Sequence, residues 1–186
     1  LLEVFVMRFV LGGMLALALG APVLSAQTAL DLSIGVGRGL GVSNADDRTL
    51  LALDATVARV VRRVERGAIP VAISAHAAPA IQNGDCVALP GAVCRRNFPS
   101  LSSVALLSGW SRQADFSRGP RLLAGPAMVW NDDTSSKGVG FILRADYAES
   151  MGRHAAFVFG AQSVIAPRYL GARVATATVT AGVRLR

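Results

Sequence analysis

The sequence predicts an all-β fold: an eight-stranded antiparallel up-and-down transmembrane β-barrel preceded by an N-terminal signal helix. Three observations predict it. Apolar residues recur with period two along most of the chain, the first and last periodic segments match in character, and the connections between segments alternate in length. A strand sends successive side chains to opposite faces, so period two gives each stave one oily face and one polar face.

The staves follow in order. From Leu30, one parity holds Leu30, Leu32, Ile34, Val36, Leu40 and Val42, broken only by Arg38. The other parity holds Asp31, Ser33, Gly35, Gly37, Gly39, Gly41 and Ser43. Residues 50–61 set Leu51, Leu53, Ala55 and Val57 against Asp54 and Thr56. Helical spacing of Leu50, Leu53, Val57, Val60, Val61 and Val64, with Asp46 or Asp47 as N-cap, makes a helix over 46–66 the alternative there. Residues 68–80 set Ile69, Val71, Ile73, Ala75 and Ala77 against Ala72, Ser74 and His76. Residues 101–112 set Val104, Leu106 and Trp110 against Ser103, Ala105 and Gly109.

Residues 121–131 are apolar on both faces, and Pro126 is awkward inside a strand. Residues 138–148 set Val139, Phe141, Leu143, Ala145 and Tyr147 against Gly140, Arg144 and Asp146. Residues 154–165 set Phe157, Phe159, Ala161 and Ile165 against Val158, Gly160 and Gln162. In the last stave Ala175, Ala177, Val179, Ala181, Val183 and Leu185 oppose Thr176, Thr178, Thr180, Gly182, Arg184 and Arg186. The first and last staves match, as pairing to close a sheet requires.

Composition bounds the alternatives. The chain has 186 residues, 52% apolar and 17% charged, which excludes a disordered chain. A single long apolar run excludes a polytopic helical membrane protein. The formal net charge is +7, and Lys137 is the one lysine among 19 basic residues. Such a charge suits lipid phosphates or acidic glycans. The cations are scattered and no aromatic platform alternates with them, so nucleic acid is not the expected partner.

From Met7 the text has the layout of a secretory signal peptide. Arg8 precedes an apolar stretch from Phe9 to Leu19, then Pro22, then Ser25 and Ala26. Cleavage after Ala26 would leave residues 27–186 as the barrel domain, with 1–26 as extension and signal. The alternative is a permanent anchor, but the run is short against the roughly 20 residues of a spanning helix. No cysteine near the cleavage point supports a lipoprotein anchor. Cys86 and Cys94 lie eight apart around Pro90–Gly91, and export favours a disulfide between them over free thiols or a metal site. No metal and no cofactor is expected.

The connections RRVERG, QADFSRG and ESMGR are moderate, while residues 81–100 form the longest loop. Short periplasmic turns opposite longer external loops are the organisation of an outer-membrane barrel. The oily faces then meet lipid, and the small polar faces fill a narrow lumen. Lumen pairs are expected among Asp31, Asp54 and Asp146 with Arg144, Arg184 and Arg112. Trp130, Tyr169 and Phe98 fall near the external rim, and Trp110, Phe116 and Tyr147 near the periplasmic one, as interfacial girdles would.

With these features in place, residues 29–186 resemble the small outer-membrane β-barrel proteins, the OmpA/OmpX-like eight-stranded membrane domain. The likeness rests on signal peptide, strand count, alternation, loop asymmetry and the terminal stave TATVTAGVRLR. It implies a bacterial outer-membrane location, outer-membrane lipid and the barrel-assembly machinery as partners, and a structural or surface-interaction role. Such proteins usually end on an aromatic residue; this sequence ends at Arg186. The alternative role is a secreted soluble barrel binding a small apolar ligand. A third is a lipid acyl hydrolase using His76 and Ser74, which share one stave face. No G-x-S-x-G elbow accompanies them. The plainer expectation for His76 is a neutral imidazole hydrogen-bonded inside the barrel. The Gly35–Gly41 alternation is no dinucleotide fingerprint, since no phosphate-binding helix follows it.

Overall fold

The computed structural model describes residues 28–40, 49–78, 101–130, 137–169 and 172–186. The signal segment, the cysteine loop with Phe98, and Asp46 and Asp47 lie outside the described residues.

Eight strands form a closed barrel: β1 (Thr28–Leu40), β2 (Thr49–Val64), β3 (Gly67–Ala78), β4 (Leu101–Ser111), β5 (Gly119–Trp130), β6 (Lys137–Ser150), β7 (Ala155–Tyr169) and β8 (Ala172–Leu185). Each pairs antiparallel with its neighbours in sequence, and β8 pairs with β1. Following one row of cross-strand partners from Thr28 through Arg59, Val71, Ser108, Ala124, Leu143, Ser163 and Ala177 leads back to β1 at Arg38. The row therefore returns ten residues further along its starting strand. That stagger tilts the staves and leaves an interior that side chains can fill.

The two faces separate as period two requires. Ile34, Val36, Leu106, Leu122, Val139, Phe141, Phe159 and Val179 are exposed on the outside. Asp31, Asp54, Thr56, Ser74, His76, Arg144, Asp146, Gln162, Thr178 and Arg184 are buried inside. Toward the long-loop end the interior turns apolar: Leu50, Leu101, Val129, Ile142, Val164 and Val174 pack into one buried cluster.

Interior glycines let neighbouring staves approach. A Cβ on Gly35 would lie 1.9 Å from the Val179 carbonyl oxygen, inside any van der Waals contact. At the β2–β3 turn, Gly67 has φ +147°, and a Cβ there would meet the Ser111 carbonyl oxygen at 2.2 Å. Glycine serves both positions because it has no Cβ to clash.

The strand expected over 50–61 forms as β2 from Thr49, and the helix weighed as its alternative is not seen in the described part of 46–66; the strand pairs with β1 and with β3 over nearly its whole length. Other expectations need correction. The turn expected at RRVERG is tighter, since Arg62–Val64 stay in β2 and Glu65–Arg66 alone make the turn. Loop asymmetry is not uniform: β7 and β8 are separated by two residues, whereas Arg112–Arg118 link β4 to β5. Pro126 is accommodated within β5 facing outward, and the β4–β5 ladder is interrupted where Pro126 stands opposite Leu106. Proline brings no N–H to that ladder.

Candidate functional site: the polar lumen

The lumen holds two polar tiers beneath the apolar cluster. The lower tier is set by register. Asp31 on β1 stands directly opposite Arg184 on β8, and Arg121 on β5 directly opposite Asp146 on β6. Each couple brings opposite charges to one height, and the two couples interlock across the barrel. Arg184 donates to Asp31 Oδ1 at 2.6 Å through Nε and to Asp146 Oδ1 at 2.7 Å through Nη2. Arg121 donates to Asp146 Oδ2 from Nε at 3.1 Å and Nη2 at 2.7 Å, and Nη2 also bonds Asp31. Arg144 Nε adds a third guanidinium to Asp146 Oδ2 at 3.2 Å. Arg121, Arg184, Asp31 and Asp146 are at most 5% exposed. Charges buried so deeply persist only where geometry and further hydrogen bonds compensate the lost hydration.

Phe116 closes this tier from below. It lies in the β4–β5 turn at φ 56°, unusual for a residue other than glycine. The strained backbone points its carbonyl at Arg184 Nη1, 3.2 Å away. Its ring lies 5.7 Å from the Arg121 guanidinium and 5.9 Å from that of Arg184. Cations over an aromatic face are attracted to the ring quadrupole.

The upper tier centres on Asp54 and His76. Ser33, Asp54, His76 and Ser103 form a continuous row across β1 to β4. His76 Nδ1 donates to Asp54 Oδ1 at 2.8 Å, and Gln162 Nε2 reaches the same oxygen across the barrel at 3.1 Å. Thr56 and Ser74 share a hydrogen bond of 2.8 Å, and Arg144 Nη1 donates to Thr56 at 3.0 Å, tying the tiers together. Several buried atoms here have no partner among the described residues: Asp54 Oδ2, His76 Nε2, Ser103 Oγ and Gln162 Oε1. They can exchange hydrogen bonds with a small polar guest, which is the chemistry open to this tier. Among the described residues no three His, Cys, Asp or Glu side chains gather in a way that could hold a metal ion.

All six expected lumen residues, Asp31, Asp54, His76, Arg144, Asp146 and Arg184, lie inside. The expected pairings differ in part. Asp54 takes His76 and Gln162 in place of an arginine. Arg112 is exposed at the mouth of the β4–β5 turn, and Arg121 supplies the third lumen guanidinium. Arg121 is obscured in sequence because its stave is apolar on both faces. Phe116 is a lumen lid and not a girdle residue; a turn phenylalanine carries no sequence signal for inward folding. His76 is hydrogen-bonded inside the barrel, as the plainer expectation has it; Ser74 is engaged by Thr56 and His76 by Asp54, and no hydrogen bond joins the Ser74–His76 couple of the hydrolase alternative.

Comparison with known proteins adds a likeness of fold. No family model matches the chain, and no curated protein matches it. Among solved structures the barrel is similar to the crystal structure of Neisserial surface protein A, with a TM-score of 0.61 and 11% identity. The similarity covers 87% of this chain and 97% of that one. At that identity the likeness is one of fold.

Proposed function

We propose that this chain, whose fold is that of a small surface-protein barrel, is a bacterial outer-membrane protein with a structural or surface-interaction role. Its oily staves face hydrocarbon, and the loops at the long-loop end face outward, including 81–100 with a Cys86–Cys94 disulfide. One observation carries the reading: the barrel is inside-out. Val139 is 73% exposed, Val179 66%, Met128 59% and Leu106 57%, while three arginines and three aspartates sit in the lumen. Water-soluble monomers seldom expose so continuous an apolar surface. Hydrocarbon suits it, and a closed barrel leaves no edge strand unpaired toward lipid. Export by an N-terminal signal and insertion by the barrel-assembly machinery belong to the same reading.

Two rival readings fare worse. A soluble barrel binding an apolar ligand needs a greasy cavity, and here ion pairs fill the lower lumen. A hydrolase built on His76 and Ser74 lacks the contact between them. The plugged lumen also disfavours a pore.

The test is Val179→Arg. In a lipid-facing position near mid-membrane it should destabilise the barrel by about 2–4 kcal/mol. On a water-facing surface it should change stability by about 0.5 kcal/mol or less. Unfolding followed by the heat-dependent gel shift, together with carbonate resistance of the membrane fraction, decides between them. A neutral Val179→Arg with carbonate-soluble protein would refute the membrane reading.

A further inference from the structure

The turn end of the β2–β3 hairpin, residues 59–67, carries Arg59, Arg62, Arg63 and Arg66 against one carboxylate, Glu65, and all five are exposed. No ion pair or side-chain hydrogen bond engages these four guanidinium groups among the described residues. The other short turns are nearer charge balance: Arg112 and Arg118 stand with Asp115, and Arg153 with Glu149. There Arg118 Nε pairs with Glu149 at 3.2 Å, and Arg186 Nη2 donates to the carbonyl oxygens of Gly152 at 2.6 Å and Ala155 at 3.1 Å.

Register shows where the hairpin arginines point. Arg59 pairs with Val71, and both share the outer face. A bulge follows, between Val60 and Arg62. Without it Arg62 would have the inward parity of Val60. With it, Arg62 pairs with Ile69 and joins the outer face. A bulge that re-aims one side chain is a recurrent device. The outer row of β2 runs through Leu51, Leu53, Ala55 and Val57 before it reaches Arg59. Arg59 and Arg62 therefore sit where the oily belt ends, and Arg63 and Arg66 lie beyond it. Val61 and Val64 are exposed among them, at 61% and 39%. A turn built only for solvation has no use for bare valines. Alternating valine and arginine suits a membrane interface, where apolar stems stay among the acyl ends and cations reach phosphate.

We propose that this hairpin is a binding surface for the phosphate headgroups of anionic phospholipid in the leaflet at the short-turn rim. Arg59 and Arg62 make the direct contacts, and Arg63 and Arg66 add to the attracting field. Guanidinium groups suit phosphate because their paired N–H groups match its oxygens. The proposal rests on the membrane reading above.

The test uses the full chain in bilayers of phosphatidylcholine and phosphatidylglycerol at about three to one. Lipid retained on release is counted by native mass spectrometry, and the heat-dependent gel shift reports insertion. Wild type should retain phosphatidylglycerol above its share. R59Q/R62Q should lower that preference about fivefold per arginine, the factor equivalent to about 1 kcal/mol for each basic side chain near an anionic surface. R118Q/R153Q should leave it unchanged. Raising salt from about 0.1 M to about 0.5 M should weaken the wild-type preference even if the variant folds poorly. Wild-type insertion with no such preference, a preference indifferent to salt, or equal loss in R118Q/R153Q overturns the proposal alone. Failure of wild type to insert overturns the membrane reading and this proposal with it.

Discussion

Asp146→Asn tests the lumen most directly. The Asp146 carboxylate accepts from Arg121 twice, from Arg144 at 3.2 Å and from Arg184 at 2.7 Å. Three lumen arginines now face Asp31, Asp54 and Asp146, and Asp54 is occupied by His76 and Gln162. Asparagine keeps the shape but removes the charge, and its amide donors face donors. Three guanidinium groups then share Asp31. Breaking a buried pair from one side costs about 3–5 kcal/mol, because an uncompensated charge stays behind. Against a typical total of about 5–15 kcal/mol, that is a large fraction. The assay is urea unfolding in micelles or bilayers, read by tryptophan fluorescence and gel shift. D146N should move the midpoint far down with unchanged slope. Adding Arg144→Gln, which removes one charge of the opposite sign, should restore about half the loss through a favourable coupling between the two sites. A D146N cost below about 1 kcal/mol, or a double variant no better than the single, would refute the claim that charge balance holds the lumen.

Three other outcomes follow from the same geometry. Phe116→Ala removes a ring that is 1% exposed and should cost about 3–5 kcal/mol, with faster amide exchange in the β4–β5 turn by mass spectrometry. Gly35→Val drives a side chain into the Val179 carbonyl and should abolish the folded gel band, while Gly152→Ala, which meets nothing within 4 Å but strains a turn at φ +141°, should keep the band at a lowered unfolding midpoint. His76→Leu should destabilise by about 3 kcal/mol by leaving the buried Asp54 with Gln162 as its one donor among the described residues, and His76→Leu with Asp54→Leu should recover most of that in the same unfolding assay.

Much of the fold was readable because period two survives in nearly every stave. Leu32, Ile34 and Val36 against Asp31, Ser33 and Gly35 leave little choice of face. The register of the lower tier was partly readable too, since Asp31 and Arg184 lie on the polar faces of staves expected to pair. Arg121 was hidden by a stave of Leu122, Leu123, Ala127 and Met128, where neither face is polar enough to declare itself. Phe116 was hidden because its burial depends on a turn folding back, a tertiary event with no period. The bulge at Val61 left no sequence mark either, as valine and arginine on both sides read as a simple continuation. The pairing of Asp54 with His76 follows from a cross-strand register that alternation alone does not set.

Closure of the ring has a kinetic side. Arg184 reaches Asp31 across 153 positions of chain, so the lower tier cannot assemble until the last stave docks on the first. Until then Arg121 and Arg144 crowd Asp146 while Asp31 waits, and an unsealed sheet gains little from either. Docking of β8 therefore acts as a latch: partial rings are penalised, and the finished one forms in a single cooperative step.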